Sequence, residues 1–205
     1  MSSAPGAFYF DLASPLAYLA AERVLHELAG SAAAVAEWQP VLARELPRGE
    51  TFAAFRCEQE REIFRAEIAR RAAELELQPV RWPEPFPFDS SLAMRVATYA
   101  KSIGRTVPFA QAAFRQAFAG GRSLADPNFV LIAAAACEMH PAAVLRGAEL
   151  RSVREQLAAS TAAAAAAGVV DVPAVRIGER VFHGEHALSD AAAALRGEPI
   201  GGRGP

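Results

Sequence analysis

Strand-like residues occur near the two ends of this chain, and helical periodicity fills the middle. Residues 8–12 are apolar or aromatic on both faces except at Asp11, which is typical of a buried strand of a parallel pair. Three further short strands are predicted, one soon after the first and two near the end of the chain: 35–42, 174–177 and 180–182. Because parallel strands need a crossover connection, we expect an α/β fold.

Helices are predicted between these strands from the spacing of apolar residues. The first spans 15–29, where leucine and valine recur at helical spacing and Gly30 ends the pattern. The four prolines within 79–87 exclude both a helix and an inner strand there. The remaining helices are expected at 52–77, 90–103, 108–119, 127–139, 142–147, 151–167 and 187–195. The predicted order is therefore β-α-β, a block of helices, then β-β-α.

Ser14 and Pro15 stand at the junction of the first strand and the first helix. Serine is a favoured N-cap because its side-chain oxygen accepts a hydrogen bond from a free amide of the first turn, and proline suits the first helical position. A helix that starts there favours anions at its N-terminus. Taken alone, Ser14-Pro15 indicates only a favourable helix start, and evidence for a function has to come from other residues of the chain.

The charge of the chain argues against nucleic acid and membranes as partners. The 205 residues carry a net charge of -2, and aromatic and basic residues form no common stripe. No apolar stretch reaches the length of a transmembrane helix without a charge. A small-molecule or protein partner is expected instead.

Cysteine and lysine usage suggests where the protein acts. Cys57 and Cys137 are the only cysteines and neither belongs to a C-x-x-C pair, so no dithiol or zinc pattern exists. Lys101 is the only lysine among abundant arginine and alanine, which suggests a GC-rich bacterial genome. Residues 1–6 carry no basic residue, so no signal peptide is predicted and a cytoplasmic location is expected.

Two groups of residues, one near each end of the chain, carry a resemblance to a known family. They are Phe8-Tyr9-Phe10-Asp11, Ser14-Pro15 and Tyr18 at one end, and Val172-Pro173 with the run from Phe182 to Leu188 at the other. With the order of elements, they make the chain resemble the DsbA family, a thioredoxin-like fold with a large all-helical insertion. Within it, the chain is most similar to 2-hydroxychromene-2-carboxylate isomerases and kappa-class glutathione transferases. The resemblance implies a thioredoxin-like domain of residues 1–45 and 168–200, with 46–167 inserted as a helical domain.

The resemblance also implies a role for Ser14. Redox members carry their attacking cysteine at this position, but here the four residues are Ser14-Pro15-Leu16-Ala17, so dithiol exchange cannot occur. In the kappa-like members a serine hydroxyl donates a hydrogen bond to the sulfur of glutathione and favours its thiolate form. The pKa of an unperturbed thiol is about 8.5. The implied function is an isomerase or transferase that depends on glutathione or another low-molecular-weight thiol, with Ser14 as its catalytic residue.

Further site residues follow from the same resemblance. The Val172-Pro173 bond is implied to be cis, so that the backbone of both residues holds the cofactor. Glu185 or His186 would bind the charged end of the cofactor. His186 and Ala187 stand where the family has aspartate and arginine, which leaves glutathione and another thiol as alternatives. A second set is assigned to the substrate pocket: Asp11, Tyr18 and His183.

The same residues allow several alternative functions. His183, Glu185 and His186 lack a further convergent ligand, so no metal site is predicted. A serine hydrolase is disfavoured because the chain has no G-x-S-x-G elbow. The rival from another class is a non-enzymatic thioredoxin-like protein that pairs an extended peptide along Val172-Pro173. The resemblance also implies a homodimer, for which the sequence itself carries no signal.

Overall fold

One mixed sheet of four strands forms the centre of the fold in a computed structural model, which describes residues 6–28, 37–49 and 57–198. The strands lie in the order β2-β1-β3-β4, with β1 parallel to β2 and the other two pairs antiparallel. Their bounds are β1 (Ala7–Phe10), β2 (Glu37–Pro40), β3 (Ala174–Ile177) and β4 (Arg180–His183). This topology confirms the predicted thioredoxin-like α/β fold with a helical insertion.

The helix after β1 is shorter than predicted. It breaks into α1 (Pro15–Ala21) and α2 (Val24–Glu27), and the amide of Arg23 bonds to Ala20 in a tighter turn. Glu22 lies at the break and accepts two hydrogen bonds from Arg115, at 2.7 and 2.6 Å. This contact joins residues far apart in sequence, so helical periodicity could not reveal it. The predicted terminator Gly30 lies outside the described residues.

The inserted helices follow β2. They are α3 (Glu58–Glu74), α4 (Ser91–Ser102), α5 (Thr106–Phe114), α6 (Pro127–Ala135), α7 (Pro141–Glu149) and α8 (Arg151–Ala166), and α9 (Ala187–Arg196) ends the fold. A π-helical turn, Arg115–Ala119, continues α5. These bounds match the predictions closely where the chain is described. The first part of the helix predicted at 52–77 lies outside the described residues.

The two faces of the sheet pack against different apolar clusters because successive strand residues point to opposite sides. Phe8 and Phe10 belong to the larger cluster, which extends into the inserted helices and includes Phe114, 6.0 Å from Phe10 between ring centroids. Ala7 and Tyr9 belong to a smaller cluster on the other face. The division of the chain into two domains at 45/46 and 167/168 stays a prediction.

None of the helices described combines the length and the apolar character that a bilayer crossing requires.

Candidate functional site

Four connecting segments meet at one edge of the sheet. Strands β1 and β2 are parallel and end at this edge, antiparallel β3 begins there, and β4 ends there. The turn after β1 carries Asp11 and Ser14, the segment before β3 carries Val172 and Pro173, and β4 leads through His183 into a short 3-10 turn, Gly184–His186. The strand directions thus bring the two ends of the chain together at a single edge.

Ser14 is the N-cap of α1, as the sequence predicts. Its side-chain oxygen accepts a hydrogen bond from the amide of Ala17 at 3.1 Å, and its own amide donates to the carbonyl of Asp11 at 3.0 Å. The residue is only 1% exposed. No group in the described part of the chain accepts the Ser14 hydroxyl proton, and the catalytic role of Ser14 stays a prediction.

Asp11 ties the turn before Ser14 to the segment after β2. Its two carboxylate oxygens accept hydrogen bonds from the amides of Ala13 and Ala43, each at 2.9 Å, and Ser90 adds a side-chain bond. Burial raises the pKa of Asp11, and these hydrogen bonds oppose part of the increase. Asp11 therefore positions the turn that presents Ser14, in addition to lining the second cavity described below.

Tyr18 lies in the aromatic core where α1 meets the inserted helices. Its ring centroid is 6.3 Å from that of Phe114 and 5.6 Å from that of Phe118, and the residue is 2% exposed. Burial raises the pKa of its hydroxyl, as does the nearby charge of Glu22. Tyr18 lines neither of the two cavities described below, and its role in substrate binding stays a prediction.

The segment around Pro173 is held from two sides. The Val172-Pro173 peptide bond is cis, and the carbonyl of Pro173 accepts a hydrogen bond from Gly184 at 3.0 Å. The amide of Val172 donates to the carboxylate of Asp171 at 2.7 Å. The Asp171 carboxylate therefore accepts from the Val172 amide, which the resemblance assigns to binding of the cofactor. No role is predicted for Asp171 from the sequence, where its only signal is its place next to Val172-Pro173.

His183 fixes the loop that precedes β3. Its Nε2 atom accepts a hydrogen bond from the amide of Val170 at 3.2 Å, which requires a neutral imidazole. Burial lowers the pKa of His183 and the charge of Arg48 lowers it further, while a backbone bond with Gly168 opposes the change. His183 thus acts on the Val172-Pro173 segment through the loop, and its contact with substrate stays a prediction.

Protonation of His183 is expected to destabilise the fold. The folded-state pKa lies below the unfolded value of 6.5, so the stabilisation is present above pH 6.5 and is lost as the pH falls toward the folded pKa. Urea unfolding measures the free energy of unfolding at about pH 8 and about pH 5.5. This free energy should fall less toward acid pH in His183→Gln than in the parent, and the glutamine amide oxygen can still accept from Val170. An equal fall in unfolding free energy in both proteins would contradict the expectation that protonation of His183 destabilises the fold.

The first cavity, which we name the α1–α3 cleft, has a volume of about 440 Å³. Leu16 and Leu19 of α1 form its apolar side, and His186 lies at the N-terminal end of α9. Across from them, Glu67 accepts hydrogen bonds from Arg70 and Arg71 at 2.7 and 2.6 Å. These bonds lower the pKa of Glu67 to about 2. The cleft therefore offers an apolar wall next to paired charges.

The second cavity, which we name the Asp11 cavity, has a volume of about 250 Å³. Asp11 and Ala13 of the Ser14 turn line it, and Phe88 supplies an aromatic wall. Arg44 stands at its rim, where its Nη1 atom donates to Asp89 at 3.0 Å. Because Leu16 lines the cleft and Ala13 lines this cavity, the turn of Ser14 lies between the two.

Two further predictions concern the segment after β4. The backbone of Glu185 lies in the 3-10 turn, but its side chain lies outside what the structure describes. His186 is exposed and lines the α1–α3 cleft, and its contact with the charged end of a ligand stays a prediction. Across residues 6–28, 37–49 and 57–198, no three histidine, cysteine or acidic side chains form a group that could hold a metal ion.

Comparison with solved structures shows the same fold in several proteins. A 2-hydroxychromene-2-carboxylate isomerase superposes with a TM-score of 0.78 at 18% identity, covering 94% of this chain and 95% of its own. A probable DsbA oxidoreductase from Streptomyces coelicolor has a TM-score of 0.69 at 17% identity, covering 98% and 93%. The cytosolic disulfide reductase DsbM from Pseudomonas aeruginosa, solved with GSH, has a TM-score of 0.62 at 13% identity, covering 95% and 98%.

Sequence comparison identifies the family directly. A search of curated proteins gives no match for this chain. The family model of the DSBA-like thioredoxin domain matches residues 7–196, which include every strand of the sheet and all nine helices named above. The chain therefore belongs to the family of DSBA-like thioredoxin domains.

Proposed function

We propose that the protein is an isomerase or transferase that depends on glutathione or another low-molecular-weight thiol. The observation that carries this proposal is the Ser14 hydroxyl. It stands where redox members of the family have their attacking cysteine, it is held in place by its bond from Ala17, and its proton has no acceptor in the described structure. A buried donor of this kind fits a thiolate, because a hydrogen bond to the charged form lowers a pKa.

The α1–α3 cleft is where we place the charged end of the cofactor. His186 and the arginines of α3, which are paired with Glu67 and Glu74, supply hydrogen-bonding groups there, and Leu16 connects the cleft to the Ser14 turn. Glu185 belongs to the same proposed contact. The backbone of Val172 and Pro173 would hold the middle of the cofactor once a ligand group replaces Asp171 at the Val172 amide.

The Asp11 cavity is where we place the substrate. Phe88 offers an aromatic face to a flat apolar body, and Arg44 offers a cation at the rim. When bound, the thiol supplies the nucleophile, and this chain's own residues orient the reactants and hold the proton at Ser14. A setting that keeps low-molecular-weight thiols reduced, such as the cytoplasm, is required for this function.

Binding of glutathione is the first test. A thermal-shift titration should raise the midpoint of unfolding, since a ligand at 100 times its dissociation constant adds about 2.7 kcal/mol to the free energy of unfolding. S-methylglutathione, which has no ionisable thiol, is the matched ligand and should stabilise the protein less. His186→Ala should weaken binding of both ligands, because His186 contacts the charged end and not the sulfur.

The outcomes separate the candidate cofactors. Stabilisation by mycothiol but not by glutathione would assign the other thiol. Indifference to both at millimolar concentration would overturn the proposal. Turnover is then measured with the thiol that binds, by isomerisation of 2-hydroxychromene-2-carboxylate and by conjugation of an aryl chloride.

A further inference from the structure

A third cavity lies at the opposite edge of the sheet from Ser14. There β1 and β2 begin and β3 ends, and a pocket of about 340 Å³ separates the sheet from α8. We name it the Arg176 pocket. Its polar lining residues are Tyr9, Glu37, Gln39, Ser160 and Arg176.

Small residues on both sides leave the space open. Ala7 pairs with Glu37 on one neighbouring strand and with Arg176 on the other, so the two charged side chains flank a methyl group on one face of the sheet. On the facing helix, Ala163 and Ala167 line the pocket and are exposed to solvent. The pocket therefore has apolar walls and charged groups on two sides.

Arg176 and Tyr9 supply donors that the described chain does not use. Arg176 donates through Nε to the Tyr9 hydroxyl oxygen at 3.2 Å and through Nη1 to the carbonyl of Gly178 at 3.5 Å. No carboxylate of the described residues forms an ion pair with Arg176. Tyr9 is only 6% exposed, and its hydroxyl proton likewise finds no acceptor within the described ranges. Because Tyr9 and Arg176 both line the pocket with donors to spare, this pair favours a ligand that accepts hydrogen bonds.

The other charges around the pocket decide the kind of ligand. Glu37 forms an ion pair with Lys101 at 2.7 Å, and Lys101 also contacts Gln39. Arg176 thus has no opposite charge among the described residues to compensate it. The charges of Glu37, Lys101 and Arg176 sum to about +1 at neutral pH. The two negative charges of a dianion such as phosphate would exceed this single positive charge, whereas a monoanion with an apolar body matches both the charge and the alanine walls.

We propose that the Arg176 pocket binds a small organic monocarboxylate. One carboxylate oxygen accepts from the Arg176 guanidinium and the other from the Tyr9 hydroxyl, and the apolar body lies against Ala7 and Ala163. The pocket is separated from Ser14 by the length of the strands, so this binding does not depend on the thiol function proposed above.

The test uses sodium benzoate as the probe, followed by calorimetry and backbone amide NMR on the full chain. We expect a dissociation constant in the millimolar range, with shifts at residues of β1, β3 and α8. Arg176→Gln should weaken binding about tenfold, because a hydrogen bond to a charged group is lost. Tyr9→Phe should weaken it about threefold. Ala163→Leu should abolish binding by filling the pocket.

Matched variants show whether the effect belongs to the pocket. Ala166→Leu adds the same side chain to an exposed position of α8 outside the pocket, and Arg180→Gln removes a neighbouring exposed arginine. Both should bind benzoate as the parent does. Equal affinity of Arg176→Gln and the parent would overturn the proposal. So would equal shifts with phosphate at matched ionic strength, or no binding below about 50 mM benzoate.

Discussion

Replacing Ser14 by alanine is expected to lower thiol-dependent turnover about a hundredfold while the fold is retained. The hydroxyl proton has no acceptor among the described residues and is the donor that we assign to the bound sulfur, and alanine removes it without adding bulk. The variant also loses the cap of α1, which costs about 1 kcal/mol of unfolding free energy. Turnover is measured in the two assays defined above, and stability by urea unfolding.

Two variants separate the chemistry of Ser14 from its role as a cap. Asp126 precedes Pro127 at the start of α6 and accepts from the amide of Asn128 at 2.9 Å, so Asp126→Ala removes an equivalent cap away from the site. It should lose similar stability and keep full turnover. Ser14→Thr retains the hydroxyl and should keep most of the activity. If Ser14→Ala lost only the unfolding free energy of an N-cap and kept its turnover, the result would favour the alternative function, a non-enzymatic protein that binds an extended peptide.

Replacing Asp11 by alanine is expected to destabilise the fold by about 3 kcal/mol, the largest effect among the site residues. The substitution leaves the amides of Ala13 and Ala43 without an acceptor in a place where water has little access. It also releases the turn of Ser14 from the segment after β2, so turnover should fall as well. Asp171→Ala, which removes one hydrogen bond made by a half-buried side chain, should cost about 1 kcal/mol.

The pH dependence of Asp11→Asn tests the ionisation of this carboxyl. Its folded-state pKa lies above the unfolded value of 3.8, so its stabilising contribution is complete below pH 3.8 and is lost as the pH rises through the folded pKa. The advantage of the parent over Asp11→Asn in unfolding free energy should therefore shrink from acid toward neutral pH. An advantage that grows with pH would show that the hydrogen bonds from Ala13 and Ala43 outweigh burial.

Local sequence patterns predicted most of the elements correctly. The Ser14-Pro15 pair marked the start of α1 because capping depends on residues adjacent in the chain. The alternating residues near the end of the chain marked β3 and β4, and the alanine-rich run marked α8. The break between α1 and α2 was missed, because the apolar residues of 15–29 keep helical spacing on both sides of it.

The candidate site was predicted less completely than the fold. The residues around Ser14 and Pro173 were identified through family resemblance, and the strand directions explain why they lie at the same edge of the sheet. The bond from Val172 to Asp171, the contact of His183 with Val170 and most of the residues that line the two cavities were not predicted. Each depends on where a side chain points after the loops have closed, which no periodicity records.

The sequence by itself determined the order of the elements, the cap at Ser14 and the loss of the family's dithiol, because these follow from local geometry and residue chemistry. Only the tertiary structure decided which donors are left without acceptors. Ser14 and Tyr9 are both buried hydroxyls in or beside β1, yet one faces the edge where the two ends of the chain meet and the other faces Arg176 at the opposite edge. That difference arises from strand pairing and packing between distant segments, which bring together groups that the chain alone keeps apart.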